Sequence, residues 1–343
     1  MKLGILKSFD SIQMLVDQYC EACKELGVDY TILDLLSENW IEEIKQANVD
    51  GILVRIKGNL DEHKNMFDER LFIINEELGI PIYPSRKELF LYENKRLYEY
   101  WLTANGYPHP KTNIFYKKKD ALEFLKTAKM PLVFKTNGGA TSSGVQIVKS
   151  KVRARYYIHQ IFGIIDYRLS LGKTPWKKGG IPIPKFGMTQ KHYVIMQEYI
   201  PLKWEWRIIK IGNSYFGKQK LLKGYFASGV GVFGWVTPPK ELLLMVKSVC
   251  DKGNFDCMAM DVLESKDGKY YINELQSLFG TKTPYMKING EQGRYILIND
   301  EFIFEKGEFN KMGGNILRVE DFIKKIKSGY YNNFKPGKDA EYA

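Results

Sequence analysis

Asp256-Cys257-Met258-Ala259-Met260-Asp261-Val262-Leu263-Glu264, the turn Ser265-Lys266-Asp267-Gly268, and Lys269-Tyr270-Tyr271-Ile272-Asn273-Glu274-Leu275-Gln276 form the stretch whose reading decides the fold. Both arms are dominated by apolar, β-branched and aromatic residues, and the four residues between them are turn formers, so the stretch reads as a β-hairpin. A carboxylate in the middle of an apolar strand is costly unless it has a partner. Here each arm carries one, Asp261 and Glu274. Side chains two apart on a strand share a face, so Glu274 and Gln276 project together and Asp261 can meet them across the pair. Three oxygen-bearing side chains converging from strands suit Mg²⁺, a hard cation held by a few carboxylates together with substrate phosphates. A surface hairpin with solvated acids is the other reading these residues allow on their own.

Outward from the hairpin, the chain of 343 residues is long enough for a sizeable core and two or three structural units. Its hydrophobic content of 44% and charged content of 27% are those of a soluble globular protein. No apolar run approaches the ~20 residues of a membrane span. Met1 to Leu6, followed at once by Lys7, is too short for a signal sequence, so the expected location is cytoplasmic. Cys20 and Cys23 form a CxxC on a helical stretch with no second pair at zinc spacing, which favours buried thiols over metal ligands. The formal charge of +11 gathers at 117–119, 149–155 and 173–185. Such clusters suit nucleic acid, an anionic membrane surface, a polyanionic small substrate, or a lysine-rich surface with no special role. No helix-turn-helix, RNA-binding-sheet or zinc-finger signature accompanies the charge, which argues against sequence-specific nucleic-acid binding.

Residues 2–85 alternate strand and helix. Strands are expected at 3–6, 30–33, 51–54 and 80–83, and helices at 11–26, 39–47 and 67–78, with Gly27 and Gly79 as C-terminal stops. The pattern predicts a small parallel sheet covered on both faces. It lacks a GxGxxG after the first strand, so no dinucleotide site is expected. Ligands of such sheets lie beyond the carboxyl ends of the strands, where Ser8, Asp10, Arg55 and Lys57 fall.

From residue 85 the texture changes. One helix over 87–105 carries Lys95, and a short helix over 121–128 leads to the strand Pro131-Leu132-Val133-Phe134-Lys135. Gly138-Gly139-Ala140-Thr141-Ser142-Ser143-Gly144 follows, and the chain returns in a strand over 145–148. The small residues read as a hairpin loop whose N–H and hydroxyl groups can close over phosphate oxygens, or simply as a turn. A helix near 153–162 opens a basic insertion over 151–190, rich in Pro, Gly and Lys. Tyr193-Val194-Ile195-Met196-Gln197-Glu198-Tyr199-Ile200-Pro201 is a strand ended by its proline. Residues 206–210 and 214–221 read as antiparallel strands, with Lys218 and Lys220 on one face of the second. Phe226-Ala227-Ser228-Gly229 lies in a second small-residue loop, and a helix over 240–253 leads into the acidic hairpin.

Taken in this order, the pieces resemble the ATP-grasp superfamily, in which two α+β subdomains hold ATP between them. The resemblance runs from about residue 85 to residue 280, and the preceding parallel sheet is similar to the family's N-terminal domain. It implies an α/β pre-ATP-grasp domain over 1–85, a two-subdomain α+β ATP-grasp domain over 86–325 and a C-terminal tail over 326–343. Lys95 and Lys135 look like the two nucleotide-binding lysines, and Gly138, Gly139, Thr141, Ser142 and Ser143 resemble the phosphate flap. Gln197, Glu198, Tyr199 and Ile200 look like the hinge that meets adenine through backbone groups, and Glu205 sits where the family often places a ribose-binding acid. Asp261, Glu274 and Gln276 match the magnesium ligands. The third of these is usually asparagine, so Gln276 is a departure that bears on whether one or two metal ions bind. Lys218 and Lys220 stand where an arginine usually reaches the γ-phosphate. Gly139 to Ser143, Phe226 to Gly229 and Asn273 to Gly280 also look like ATP-grasp proteins of bacterial surface-polysaccharide gene sets.

What the resemblance implies is an ATP- and Mg²⁺-dependent carboxylate–amine ligase acting through an acyl-phosphate. Lys220 and Arg207 would carry the catalytic charge. The partners would be a small-molecule carboxylate and amine. The line-up of Arg55 and Lys57 after the third strand with Arg207 and Arg294 suits an anionic acceptor between the N-terminal sheet and the grasp, with Ser228 facing it; a structural salt bridge is the other reading of Arg294. The same residues would serve a kinase that phosphorylates a small-molecule hydroxyl, and a non-catalytic nucleotide- or nucleic-acid-binding module is the third alternative. The identity of the acceptors and the oligomeric state are not legible in these residues.

Overall fold

The computed structural model describes residues 1–7, 13–56, 61–139, 144–163, 190–222, 231–280 and 283–331. Ser8, Asp10, Lys57, Thr141, Ser142, Ser143 and Ser228 lie outside them, as does most of the basic insertion. The first part of the chain runs β1 (Lys2–Lys7), α1 (Gln13–Glu25), β2 (Asp29–Asp34), α2 (Trp40–Ala47), β3 (Gly51–Leu53), α3 (Asp61–Phe72), a π-helical turn (Ile73–Glu77) and β4 (Ile82–Tyr83). All pairings in this sheet are parallel and the strand order is β2-β1-β3-β4. The order reverses between β1 and β3, which makes their carboxyl ends the switch point where ligands of open α/β sheets sit.

The chain continues through α4 (Arg86–Leu91), α5 (Lys95–Ala104), β5 (Thr112–Phe115), α6 (Lys118–Thr127), β6 (Leu132–Lys135), β7 (Val145–Val148), α7 (Lys151–Ile161) and β8 (Val194–Glu198). These strands form a small antiparallel sheet in the order β5-β8-β6-β7. The remainder is β9 (Leu202–Ile211), β10 (Ser214–Lys220), β11 (Phe233–Gly234), α8 (Lys240–Gly253), β12 (Cys257–Ser265), β13 (Tyr270–Gln276), β14 (Lys287–Ile288), β15 (Glu291–Ile298), β16 (Glu301–Lys306), a 3₁₀ turn (Lys311–Gly314) and α9 (Asn315–Lys327). Its central sheet has the order β13-β12-β9-β10-β15-β14, with β11 on β10 and β16 on β15. No described helix is long and apolar enough to cross a membrane.

The central sheet buries both faces. Trp206, Ile208, Tyr215, Met258, Met260 and Val262 pack against α8 and against Tyr98 and Leu102 of α5. On the other face the chemistry changes along the strands. Ile209, Ile211, Phe216, Cys257 and Ala259 join Leu3, Ile5 and Tyr19 of the first sheet and helix, together with Phe322 of α9, in one apolar cluster. Further along the same face come Arg207, Glu205, Lys218, Lys220 and Asp261, by the two-residue alternation of each strand. The hydrophobic effect thus holds one end of this face and leaves its charged end at the junction with the small sheet, where Lys135 reaches Asn273 of β13.

Several elements differ from the expectation. The single helix over 87–105 is two helices, broken at Tyr92–Asn94, where Glu93 has φ +52° and Asn94 caps α5 by accepting from the Leu97 N–H at 3.3 Å. The helix expected at 67–78 begins at Asp61, because the polar run 61–65 carries no apolar period to reveal it. Beyond residue 280 the structure adds β14, β15, β16 and α9. The last of these packs on α1, and Phe322 lies where a Cβ on Gly51 would come within 2.5 Å of its ring. The boundary placed at residue 325 therefore falls inside α9, a helix that completes the cover of the N-terminal sheet.

Glu88 ties these parts together. It is the third residue of α4 and forms a capping box with Ser85. Its carboxylate accepts from the Ser85 N–H (2.9 Å) and hydroxyl (2.7 Å), and from the backbone N–H groups of Asp256 (2.9 Å) and Cys257 (2.8 Å) at the start of β12. Glu88→Ala is expected to lower unfolding stability by about 3 kcal/mol or more, since each buried donor left unpaired costs about 1–3 kcal/mol. Urea unfolding measures this; a loss under about 1 kcal/mol would contradict the role.

Candidate active site

The break before α5 aims Lys95 at the glycine loop. The Lys95 backbone N–H donates to the Asn137 carbonyl at 3.2 Å, and its Nζ donates to the Gly139 carbonyl at 2.9 Å. The Arg96 N–H donates to Asn137 Oδ1 (3.0 Å), and the Gly139 N–H donates to Glu93 Oε2 (2.8 Å). Gln190 closes the other side, accepting from the Asn137 N–H at 2.7 Å and donating to the Lys135 carbonyl at 3.2 Å. The far end of the loop is pinned by the Thr136 N–H on the Gly144 carbonyl (2.8 Å) and the Thr136 hydroxyl on the Gly138 carbonyl (2.5 Å). Gly138 and Gly139 are therefore held by both α5 and β6.

Lys135 ends β6, buried, with its Nζ donating to Asn273 Oδ1 at 3.1 Å and lying 3.9 Å from Glu99 Oε1. Burial pushes the Lys135 ammonium down, and Glu99 opposes that by favouring the charged form. Gln197 is buried too, and its side chain donates to Glu99 (2.9 Å) and to the Thr112 hydroxyl (2.8 Å). Glu198 accepts from the Lys111 N–H at 2.8 Å. Both side chains thus hold the small sheet together, while Tyr199 and Ile200 lie on the connection from β8 to β9.

On the central sheet, strand register assembles the rest. Asp261 pairs with Arg207 on one side and Glu274 on the other, Arg207 pairs with Lys218, and Glu205 pairs with Lys220. Arg207 grips Asp261 with two parallel bonds, Nε to Oδ1 at 2.8 Å and Nη2 to Oδ2 at 2.7 Å, and its Nη2 lies 3.5 Å from Gln276 Oε1. Lys220 bridges Glu205 and Asp261. Burial alone would raise the Asp261 carboxyl, but Arg207 and Lys220 outweigh it and hold the group well below the usual carboxylate range. Glu205 is pushed up by burial, against the pull of Lys220. Lys218 is pushed down to about 7, by burial first and then by Arg207 and Lys220. Its Nζ donates to the Thr283 hydroxyl (3.1 Å) and the Pro284 carbonyl (2.8 Å), beneath the ring of Phe233.

Strict alternation would put Asn273 on the face opposite Glu274. The β12–β13 register instead skips one residue between Asp261 and Val262, so Asn273 is the extra residue of a bulge. Its amide joins the site, accepting from Lys135 and reaching Glu205 Oε2 at 3.5 Å. The period-two reading of the hairpin could not show this. Glu93, Glu99, Asn137 and Gln190 were also beyond that reading, being isolated polar residues whose partners are 41 to 98 positions away. Two of the expected substrate residues stand apart from the Asp261 cluster. Arg294 pairs with Glu305 on the neighbouring strand β16 and donates to the Ser214 hydroxyl at 2.9 Å. Arg55 donates to the Phe279 carbonyl at 2.5 Å.

Among the described residues no three His, Cys, Asp or Glu side chains gather as a metal-binding group. Asp261, Glu274 and the amide oxygen of Gln276 nevertheless lie on one strand face, and hard oxygen donors of this kind fit Mg²⁺. Asp261 Oδ1 accepts the Arg207 Nε–H and has a second lone pair for a cation.

The arrangement of a parallel α/β sheet, a small antiparallel sheet and a large antiparallel sheet around this junction is the ATP-grasp fold. Solved structures with the same fold include D-alanine–D-alanine ligase from Bacillus anthracis complexed with ATP, at 16% identity over 97% of this chain and 99% of that one, with a TM-score of 0.60. D-cycloserine synthetase DcsG matches at 13% identity over 95% and 100%, with a TM-score of 0.61. A RimK domain ATP-grasp protein from Sphaerobacter thermophilus matches at 14% identity over 81% and 91%, with a TM-score of 0.54. No family model and no curated protein matches the sequence.

The loop anchor has a direct test. A Cβ on Gly144 would lie 1.9 Å from the Thr136 hydroxyl oxygen. Gly144→Ala is expected to weaken nucleotide affinity, and Thr136→Ala in the same chain to restore part of it, since it relieves the clash but also removes the hydroxyl's bond to the Gly138 carbonyl; the coupling is measurable in a double-mutant cycle by calorimetry. Additive losses in the double variant would show that this contact does not set the loop.

Proposed function

We propose that the protein is an ATP- and Mg²⁺-dependent ligase that joins a small carboxylate to an amine through an acyl-phosphate. The reading rests on one observation: Lys95, Lys135 and Lys220 converge with the carboxylates of Asp261 and Glu205, and with Glu274 beside them, from helix α5, the small sheet and the central sheet. Phosphoryl transfer asks a protein for position and charge more than for covalent help, and this cluster supplies both. ATP would lie between the small sheet and the central sheet, with its phosphates toward Lys95, Lys135 and the glycine loop. Asp261, Glu274 and Gln276 would hold Mg²⁺, which supplies charge neutralisation to the phosphates.

The chain's own residues do the remainder. Lys220 would leave Asp261 for a phosphate oxygen, and Arg207 would keep the carboxylate in place through its two bonds. Lys218, whose ammonium is disfavoured by burial and by Arg207 and Lys220, would be stabilised in its charged form by an arriving negative charge. Attack of the substrate carboxylate on the γ-phosphorus forms the acyl-phosphate and releases ADP. The amine then displaces phosphate, and its proton leaves with solvent or a nearby base. That two of the structural relatives are ligase and synthetase by name supports this reaction class.

Glu274→Gln is expected to lower Mg²⁺-dependent ADP release by about 100-fold or more, the scale on which lost transition-state charge stabilisation is felt. It is a cleaner test than Asp261→Asn, which also strips a partner from Arg207 and Lys220. Lys135→Ala should weaken nucleotide binding, and Lys117→Ala, exposed on the surface, should not. The assay screens acids and amines for ADP release and identifies products by mass spectrometry. Unchanged turnover in Glu274→Gln, or equal nucleotide affinity in the two lysine variants, would overturn the assignment, and a phosphorylated hydroxyl as product would reassign the enzyme as a kinase.

A further inference from the structure

Among the described residues, several buried and half-buried cations fall into two groups. Lys64, Lys135, Arg207, Lys220 and Lys325 each face a carboxylate, on Asp68, Glu99, Asp261, Glu205 with Asp261, and Asp256 respectively. Lys95, Lys218, Arg55 and Arg318 meet only carbonyl, hydroxyl or amide oxygens. A buried charge without a counter-charge is costly, and proteins keep one where a ligand supplies it. Lys95 and Lys218 belong to the nucleotide cleft. The two arginines stand elsewhere, side by side at the exit of β13.

Arg55 and Arg318 share one acceptor, the Phe279 carbonyl, at 2.5 Å and 2.6 Å. Arg318 has the Gly313 carbonyl (3.1 Å) and Asn315 Oδ1 (3.0 Å) as further acceptors, whereas for Arg55 the Phe279 carbonyl is the one hydrogen-bond acceptor among the described residues, and neither always-charged guanidinium meets a carboxylate there. Arg318 is fully buried, and its Nε has no partner. The hydroxyl of Tyr19, also fully buried and without a partner, lies in the field of both arginines. Arg55 retains 7% exposure, and among the described residues the Phe279 carbonyl is its one hydrogen-bond partner, reached through Nη1. Next to this contact is Gly280, where a Cβ would come within 3.1 Å of Arg55 Nη2.

Position agrees with chemistry. Arg55 follows β3 by two residues, at the switch point of the parallel sheet. Phe279, which holds both arginines, follows Gln276 of β13 by three residues, so this corner adjoins the strand that carries Glu274. A molecule anchored at Arg55 can therefore extend toward the phosphate-binding cluster.

We infer that Arg55, reinforced by the charge of Arg318, is the oxyanion site for the acceptor, which carries a carboxylate or phosphate group in addition to the group that reacts. The inference rests on the ligase reading and gives its substrate class as an anionic small molecule. Arg318 is held by Gly313, Asn315 and Phe279, whereas Arg55 spends one donor on Phe279, and its remaining donors are what a bound anion accounts for.

The test uses the full chain saturated with Mg²⁺ and a non-hydrolysable ATP analogue, which blocks the nucleotide's own phosphate site. Succinate and inorganic phosphate are titrated separately by calorimetry, and the tighter of the two names the group. Arg55→Met is expected to weaken that binding by about tenfold or more, the loss of one charge-assisted hydrogen bond, with Arg55→Lys between it and the parent. Analogue affinity should stay within about twofold in both variants. Should Arg55→Met not fold, the parent protein still answers: the same anions should slow phenylglyoxal modification of Arg55, followed by peptide mass spectrometry. Equal anion binding in parent and variants, no anion binding by the loaded parent, or unchanged modification would overturn the inference. Failure of the ATP analogue to bind would instead strike the ligase reading and would appear in the first titration, before any anion is added.

Discussion

The Asp261 carboxylate, buried in the central sheet, is gripped from one side by the fork of Arg207 and from another by Lys220. Around it the face holds a second carboxylate on Lys220, a third beside it on the next strand, and a bulge that turns Asn273 inward. Each of these groups would be unaffordable alone at such depth, and removing one partner of a buried ion pair costs about 3–5 kcal/mol. The sheet tolerates them because the register sets Asp261 beside Arg207, and Glu205 beside Lys220, on neighbouring strands. The rest of the structure secures that register. The apolar end of the same face is clamped by α9 and the first sheet, and Glu88 fixes the start of β12 from below.

This network also says how a charged ligand can enter. Withdrawing Lys220 from Asp261 leaves a bare carboxylate and a bare ammonium, unless a cation replaces one partner and an anion the other. A metal ion arriving with a polyphosphate does both at once, and the exchange conserves charge pairing throughout. A metal ion alone would have to compete with two cations for Asp261. A phosphate alone would leave Asp261 with Arg207 as its remaining counter-charge. On the proposed reading, metal and nucleotide therefore bind as a unit.

The fold was largely legible because its signals are local. The alternation of strand and helix to residue 85, the apolar hairpin arms around Asp261 and Glu274, and lysines at strand ends are all patterns within a few residues of one another. What escaped depends on distant contacts or on small departures from ideal geometry. The break before Lys95 rests on one positive φ at Glu93, whose carboxylate is satisfied 46 residues away at Gly139. Asn273 turns inward only because a bulge displaces it. Arg318 belongs to a helix that reads as an ordinary amphipathic segment, and nothing near it in sequence reveals that it meets Arg55 at Phe279. Conversely, Arg294 looked available as a substrate arginine because its partner Glu305 sits across a strand pair that the pattern did not reveal.

The coupling of metal to nucleotide is the claim on which the account turns, and Mn²⁺ in place of Mg²⁺ makes it visible by electron paramagnetic resonance. Titrating Mn²⁺ into the protein with and without a non-hydrolysable ATP analogue separates the two cases. The expected result is bound Mn²⁺ when the analogue is present and essentially none when it is absent. Equally tight binding without the analogue, or no bound Mn²⁺ with the analogue in place, would contradict it.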